Sequence, residues 1–461
     1  MVAARKLSAS PSPDALTLEL WSKDLPREHG FEPLRVEGTL PAGLRGTLYR
    51  NGPGQFGQFG RRYAHPFEGD GAVTAIQIAD GQARGACQIT PTAGLVAERA
   101  AGKILYGMSA PWHRRVAGVL RGRGKNTANT SVVMWQDRLF ALMEGGKPTE
   151  LDPRDLAFLG ETDLGAITGA FSAHPHRVDA HATLYNFGLE YGRVTRLHAY
   201  ALPDAGPARH LAAVELGGAT MLHDFIATET HLVFFVSPVR VDVPRMLLQL
   251  GTFGDLFQWK PELGTEVICI PIANPAQVVR FSAEPFYQWH FANAFTRGGE
   301  LVIDYVRYPT FETFYQLGGY ARGRDEPALA QGRYHRATID LAGKTLRSEQ
   351  LSDRTCEFPT VAPGDKGREH AIAYAAFDEL GAIGAIDPRG RLALHELPAN
   401  QRATEPLPAD GFLLSLCHEH DRAFVAVYDP ARIPDGPVAK IWLDHHVPIT
   451  FHGVYAPSIT R

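Results

Sequence analysis

Nineteen histidines occur in this chain of 461 residues, and four of them sit in distinctive settings. His174 lies in FSAHPH, His223 in MLHDFIATETHLVFF, His290 in YQWHFANAF and His452 in VPITFHGVY, close to the C-terminus. Neutral imidazole is a good ligand for first-row metal ions, Fe(II) among them. The four are separated by 49, 67 and 162 residues (223−174, 290−223, 452−290). Those gaps are too long for a zinc-finger loop or for a helical H-E-x-x-H pair. They suit a fold in which separate sheets each aim one residue at a common centre. A histidine among aromatic residues is, however, more often a packed core residue. His176, His181, His418, His420, His445 and His446 have comparable surroundings, and spacing alone does not choose among them.

The elements that must position such residues are strands. The 46 glycines and 33 prolines are spread over the whole length. Between them stand short runs rich in β-branched and aromatic residues: TLYNFGLEY, HLVFFVSPV, ELVIDYVRY, AIAYAAFDE, GFLLSLCHE, RAFVAVYDP and AKIWLDHHV. Turn residues such as YDP, IDPRG and LPDAG punctuate them, which is the strand-and-turn signature. Amphipathic helical patterns are few and short. The expectation is an all-β chain forming one domain over 1–461, with 1–29 as an N-terminal extension. A seven-bladed β-propeller fits better than a large sandwich: seven blades would average about 66 residues, against about 40–45 for a minimal blade. The surplus would go into long loops capping the propeller axis.

Bulk composition narrows the function classes. Hydrophobic residues make up 44% and charged residues 21%, with a formal net charge of −4. That balance gives no reason to expect nucleic acid as a partner. Cys87, Cys269, Cys356 and Cys417 are far apart, so neither a zinc knuckle nor a C-x-x-C redox pair is supported, and reduced buried thiols are expected. The N-terminus has no apolar signal-peptide core, and no stretch approaches the roughly 20 apolar residues of a membrane span. A cytoplasmic location is expected.

Several motifs occur together in a recognisable order. YRNGPG (49–54), HPFEGDGAV (65–73), NTANTSVV (126–133), ALMEGG (141–146) and CEFP (356–359), together with the four histidine contexts, resemble the carotenoid cleavage oxygenase family from about Gly30 to the C-terminus. The resemblance implies a seven-bladed propeller with one Fe(II) (Fe2+) on its axis, held by His174, His223, His290 and His452. It implies three glutamates that accept the outer N–H of ligand imidazoles: Glu144 in ALMEGG, Glu357 in CEFP and Glu405 in TEPLP. Such partners fix a ligand ring's tautomer and orientation. The Glu405 motif is abbreviated, and Glu419 is the alternative. Thr130, 14 residues before Glu144, matches a position whose methyl group crowds one open coordination site in some bacterial members.

The resemblance also implies a tunnel for a long polyene, lined by Phe67, Met143, Met221, Trp289, Phe291 and Phe358. As ordinary residues these would simply be core. Stilbene-cleaving members carry a lysine where this chain has Met143, so Met143 tilts the expected substrate towards carotenoids or apocarotenoids. Two apolar segments with basic neighbours, 241–259 and 104–125, are candidates for peripheral contact with a membrane. The expected activity is cleavage of a polyene C=C bond by O2 to two carbonyl products. Cleavage of a stilbene or phenylpropene, retinyl-ester isomerohydrolysis and non-catalytic binding of apolar ligands are the alternatives.

Overall fold

The computed structural model describes residues 15–120, 124–324 and 332–458, with the backbone alone over 117–120. Antiparallel strands dominate. The long run HLVFFV (His231–Val236) shows why the strands read as continuous apolar stretches. Leu232, Phe234 and Val236 pack into one core cluster, and Val233 and Phe235 into another. Successive side chains leave a strand on opposite faces, so a strand covered on both faces is apolar at every position. Arg422–Tyr428 repeats the arrangement: Ala423, Val425 and Val427 face one core, and Phe424, Ala426 and Tyr428 the next. Truncating such a buried ring, as in Phe234→Ala, costs about 3–5 kcal/mol.

The strands form meanders that follow one another along the chain. His176–Val178, Thr183–Glu190, Arg196–Pro203 and Arg209–Glu215 make one sheet; Ile226–Ala227, His231–Val236, Thr265–Pro271 and Val279–Ala283 make the next. Ser131–Trp135, Arg138–Leu142, Thr149–Leu151 and Phe158–Glu161 precede them. A seven-stranded assembly follows, from Tyr287–Arg297 to Leu392–Glu396. Within it the long strand Thr345–Val361 pairs with Arg333–Asp340 through its first part and with Ala373–Phe377 through its last. The two ends of the chain interlock. Gly46–Gln55 pairs with His452–Pro457, and Arg35–Gly38 with Ala439–Leu443.

The N-terminal segment is more than an appendage. Its helix Ala15–Ser22 buries Leu16, Leu20 and Trp21 against Leu317 and Tyr320 of helix Glu312–Ala321 and against Phe358 and Phe451. The four cysteines are free and buried. Among the described residues, no helix is long and apolar enough to cross a membrane.

Candidate metal centre

The four singled-out histidines converge, each from a different sheet. His452 opens the edge strand His452–Pro457, and His290 lies in the edge strand Tyr287–Arg297. His174 and His223 lie in the approaches to His176–Val178 and Ile226–Ala227, each an edge of its sheet. One ring nitrogen from each lies within 4.8 Å of those of the other three. His290 Nε2 is 3.2 Å from His223 Nε2 and 3.0 Å from His452 Nε2. His176, His181, His418, His420, His445 and His446 are not in this group; His176 Nε2, for example, meets Asp224 at 2.9 Å.

Carboxylates back three of the rings. Glu144 abuts His223 Nδ1, and Glu357 accepts from His290 Nδ1. Glu405 accepts from His452 Nδ1 at 2.9 Å. Glu419 is elsewhere, accepting from Gln401 and paired with Arg422. Local backbone irregularity does the aiming. The strand register shifts between Gln288 and Phe291, between Glu357 and Thr360, and between Ala403 and Pro406. A bulge re-aims the side chains around it, and His290, Glu357 and Glu405 sit at these three shifts. Phe358, beside Glu357, has a left-handed φ of 55°.

Two cavities reach the histidines, and a third adjoins them at Thr130 and Glu144. An apolar one of about 110 Å³ is lined by Trp21, Phe67, Thr130, Trp289, Leu317, Phe358 and Phe451, with His223, His290 and His452 at its floor. A larger one, about 310 Å³, shares Phe67 and Thr130 and continues past Met143, Glu144, Tyr106 and Phe253. A polar cavity of about 270 Å³ approaches His174, His290 and His452 alongside Lys366, Asp224 and Glu405. Thr130 donates its hydroxyl to Asn129 Oδ1 at 3.1 Å, which leaves its methyl as the face it can offer where the first two cavities meet.

Two residues expected to line a tunnel line neither of the first two cavities. Met221 is buried in a core cluster behind Trp289 and lines none of these three cavities. Phe291 packs against Phe235 and Tyr305 and reaches only the polar cavity. The register shift beside His290 parts Trp289 from Phe291, although residues two apart on a regular strand share a face.

Comparison with known proteins decides the family. Residues 23–457 match the family model described as retinal pigment epithelial membrane protein (RPE65). The chain belongs to the RPE65/carotenoid oxygenase family. Within that family it is 31% identical to the apocarotenoid-15,15'-oxygenase of Synechocystis, over 98% of this chain and 99% of the relative. It is 26% identical to the isoeugenol monooxygenase of Pseudomonas nitroreducens, over 92% and 94%. The structure of cobalt-substituted Synechocystis ACO superposes with a TM-score of 0.88 at 29% identity, covering 96% of this chain and 99% of that one. The chain is an oxygenase of the RPE65 family.

The centre is built for a cation. With the Nδ1–H of His290 and His452 given to carboxylates, both Nε2 atoms carry lone pairs, yet they face each other at 3.0 Å. Two acceptors at that distance repel unless a positive charge lies between them. Imidazole nitrogens bound at about 2.1 Å and at right angles to one ion stand about 3.0 Å apart. Among the described residues none hydrogen-bonds the buried His174 Nε2, which leaves that atom available as a ligand. Burial, and then the neighbouring imidazoles, hold the His174 pKa well below the ordinary histidine range. Burial also lowers that of His452, against the pull of Glu405. For His290 burial works downward, but Glu357 more than offsets it and raises the value. Glu357 is itself lowered: burial opposes its ionisation, but His290 outweighs it. Burial likewise opposes ionising Glu405, but His452 and Arg50 hold its carboxyl down at about 2.

Two supports at the site were not singled out from sequence. Tyr308 donates to Glu357 Oε1 at 2.8 Å. Arg50 Nη1 donates to Glu405 Oε2 at 2.5 Å. Arg50 lies inside the YRNGPG motif, so the motif was the available signal. Tyr308 ends an ordinary strand and gave none.

Proposed function

We propose that the chain is an Fe(II)-dependent dioxygenase that cleaves one C=C bond of an apocarotenoid or carotenoid into two carbonyl products. The observation that carries this reading is the convergence of four buried imidazoles, three with carboxylates behind them and three at the floor of an apolar cavity. Its proposed ligands are His174, His223, His290 and His452. Glu357 and Glu405 hold the Nδ1 protons of His290 and His452, which fixes the tautomer that offers Nε2, and Glu144 lies against Nδ1 of His223. Fe(II) bound there supplies dioxygen activation at a centre whose four ligands are neutral.

The overall reaction joins an alkene and O2 into two carbonyls. It consumes no proton and no outside electron, so the cavity has to provide shape and dryness. Phe67, Trp289 and Phe358 form aromatic walls for a flat polyene, and Thr130 narrows the passage from the apolar cavity to the larger one. A polyene threaded through both would present one double bond beside Thr130 and the histidines. Met143 lines the larger cavity and brings no cation to meet a phenol, and the cations of that cavity are already engaged, Lys125 by Asp70 and Glu98 and Arg114 and Arg115 by backbone carbonyls, which favours a polyene over a hydroxystilbene.

The strand pairing supports one seven-bladed propeller. The seven-stranded assembly divides at the bend of Thr345–Val361 into two four-stranded blades, and the paired chain ends close the ring. The loops over the centre, with helices Ala15–Ser22 and Glu312–Ala321, make the cap. Contact with a membrane is proposed at a patch formed by Trp112, Val243, Leu247, Leu248 and Leu250, all exposed apolar side chains. Trp112 Nε1 donates to Leu248 O at 2.9 Å, joining the two segments. Phe253 and Trp259 of the 241–259 segment pack inward instead, and 121–123 of the 104–125 segment lie outside the described residues.

The test is a substrate panel on anaerobically purified, iron-assayed protein: apocarotenals, 4-hydroxystilbenes and isoeugenol. Faster turnover of an apocarotenal supports the proposal. Faster turnover of a stilbene or of isoeugenol moves the chain to those chemistries. Iron-free protein that binds polyenes without turnover makes it a binding protein.

A further inference from the structure

The three carboxylates behind the histidines are not equally compensated. Glu357 receives neutral donors, the Tyr308 hydroxyl at 2.8 Å and the Phe358 N–H at 2.6 Å. Among the described residues, Glu405 is the one of the three that meets a full positive charge. Arg50 is fully buried and is fixed by every arm of its guanidinium. Nη1 donates to Glu405 at 2.5 Å, Nη2 to Phe451 O at 2.9 Å and Thr404 Oγ1 at 3.2 Å, and Nε to Thr450 Oγ1 at 3.4 Å. The backbone makes room for it. Arg50 is paired with Gly453, next to His452, and a Cβ on Gly453 would stand 2.7 Å from Arg50 Cδ and 2.2 Å from Tyr49 O. Gly453 N–H in turn donates to Glu405 Oε2 at 3.0 Å.

Charge counting gives this arrangement a purpose. Three carboxylates and one guanidinium leave two negative charges around the histidines. Asp224, Lys366 and Arg177, which line the polar cavity, and Glu379, which lines the apolar one, add two charges of each sign and leave the sum unchanged. A divalent ion makes the assembly neutral and a trivalent one leaves it positive. Uncompensated charge in a buried site is costly, and net charge is one of the levers that set an iron site's potential.

We propose that Arg50 sets the redox preference of the centre, its buried charge favouring the ferrous over the ferric ion at rest. This rests on the Fe(II) reading above. The change at issue is loss of one electron from Fe(II) to an added oxidant, ferricyanide, which becomes ferrocyanide.

The experiment is a ferricyanide titration of iron-loaded protein, with ferric iron read by electron paramagnetic resonance and iron content measured in parallel. Arg50→Met should raise the ferric-to-ferrous ratio at a fixed potential at least tenfold, which is about 59 mV for one electron. Glu405→Gln removes a negative charge and should shift the ratio the other way. The Arg50→Met/Glu405→Gln pair should return to within about threefold of the parent, and Arg50→Lys should stay near it. Opposite shifts that cancel are a charge effect; mere damage to the site would move both single variants in one direction. Shifts of the same sign, or no shift in Arg50→Met, overturn the proposal. Should Arg50→Met fail to fold, Glu405→Gln decides: a shift towards ferrous supports the proposal, and no shift or the reverse overturns it. Parent protein that takes up no iron would overturn the Fe(II) reading itself, a distinguishable failure.

Discussion

Lys125 holds together a buried polar cluster in the wall of the larger cavity, and its replacement by methionine should be costly in a pH-dependent way. Its ammonium lies 2.6 Å from Asp70 Oδ1 and 2.7 Å from Glu98 Oε2, and the three side chains are 7%, 1% and 0% exposed. Gln58 and Tyr63 complete the cluster, each donating to Asp70 Oδ2. Glu98 Oε1 accepts from the N–H groups of Leu105 and Tyr106, so the cluster anchors a loop that lines the cavity. Methionine keeps the bulk and removes the charge, leaving two buried carboxylates without their cation. Breaking a buried pair in this way costs about 3–5 kcal/mol. An unfolding entropy of about 2.1 cal/mol/K per residue gives about 1 kcal/mol/K for a chain of this length, so Tm should fall by ~3–5 °C.

The sign of the pH effect follows from Asp70. Burial already raises its pKa, with Lys125 pulling it down; without Lys125 it rises further. A carboxyl whose folded pKa exceeds its unfolded value binds its proton more tightly when folded. The variant therefore loses stability as pH climbs from about 4 towards the folded pKa, by about 1.4 kcal/mol per unit. Calorimetric melts of parent and variant at pH 5, 6 and 7 should show a gap that widens with pH. Equal Tm values throughout, or a gap that narrows, would refute the reasoning.

Other outcomes follow from the same structure. Burial depresses the pKa values of His65 and His418 to about 3, so the unfolded chain binds their protons first. Stability should then be lost as pH falls from about 6.5 to about 3, by about 4 kcal/mol at pH 5 for the two together, and acid-unfolding curves of His65→Gln/His418→Gln should be flatter over that range. His174→Ala, His223→Ala, His290→Ala or His452→Ala should abolish iron binding, whereas His176→Ala and His446→Ala should retain it in metal analysis. Glu144→Gln and Glu357→Gln should fold and lose about 10–100-fold in metal affinity or activity, read by metal titration and initial rates. Leu247→Ser/Leu248→Ser should weaken liposome flotation and leave iron content intact; unfolding would mean those side chains are core.

The inner strands were legible in the sequence because they are covered on both faces and read as continuous apolar runs, as His231–Val236 does, whereas partly exposed strands such as Arg35–Gly38 and Leu392–Glu396 carry no such run. The histidines were legible through the order of several motifs; their spacing alone left ten candidates open. Side-chain direction near the centre was not legible. Met221 and Phe291 look like tunnel residues because they adjoin ligands in sequence, but a register shift decides which face Phe291 takes, nothing in YQWHFANAF marks where that strand is irregular, and Met221 lies outside any strand. Arg50 and Tyr308 were missed for a related reason: a buried partner of a glutamate is set by pairing between distant strands. Trp21 lay in a segment set aside as an extension, yet its ring forms part of the cavity wall.

The central claim, cleavage of a polyene double bond by both atoms of dioxygen, is tested most directly by turnover of an apocarotenal under 18O2 with rapid mass analysis of both products. The account predicts one labelled oxygen in each carbonyl when solvent exchange is suppressed. An unlabelled carbonyl under those conditions, its oxygen drawn from water, would contradict it.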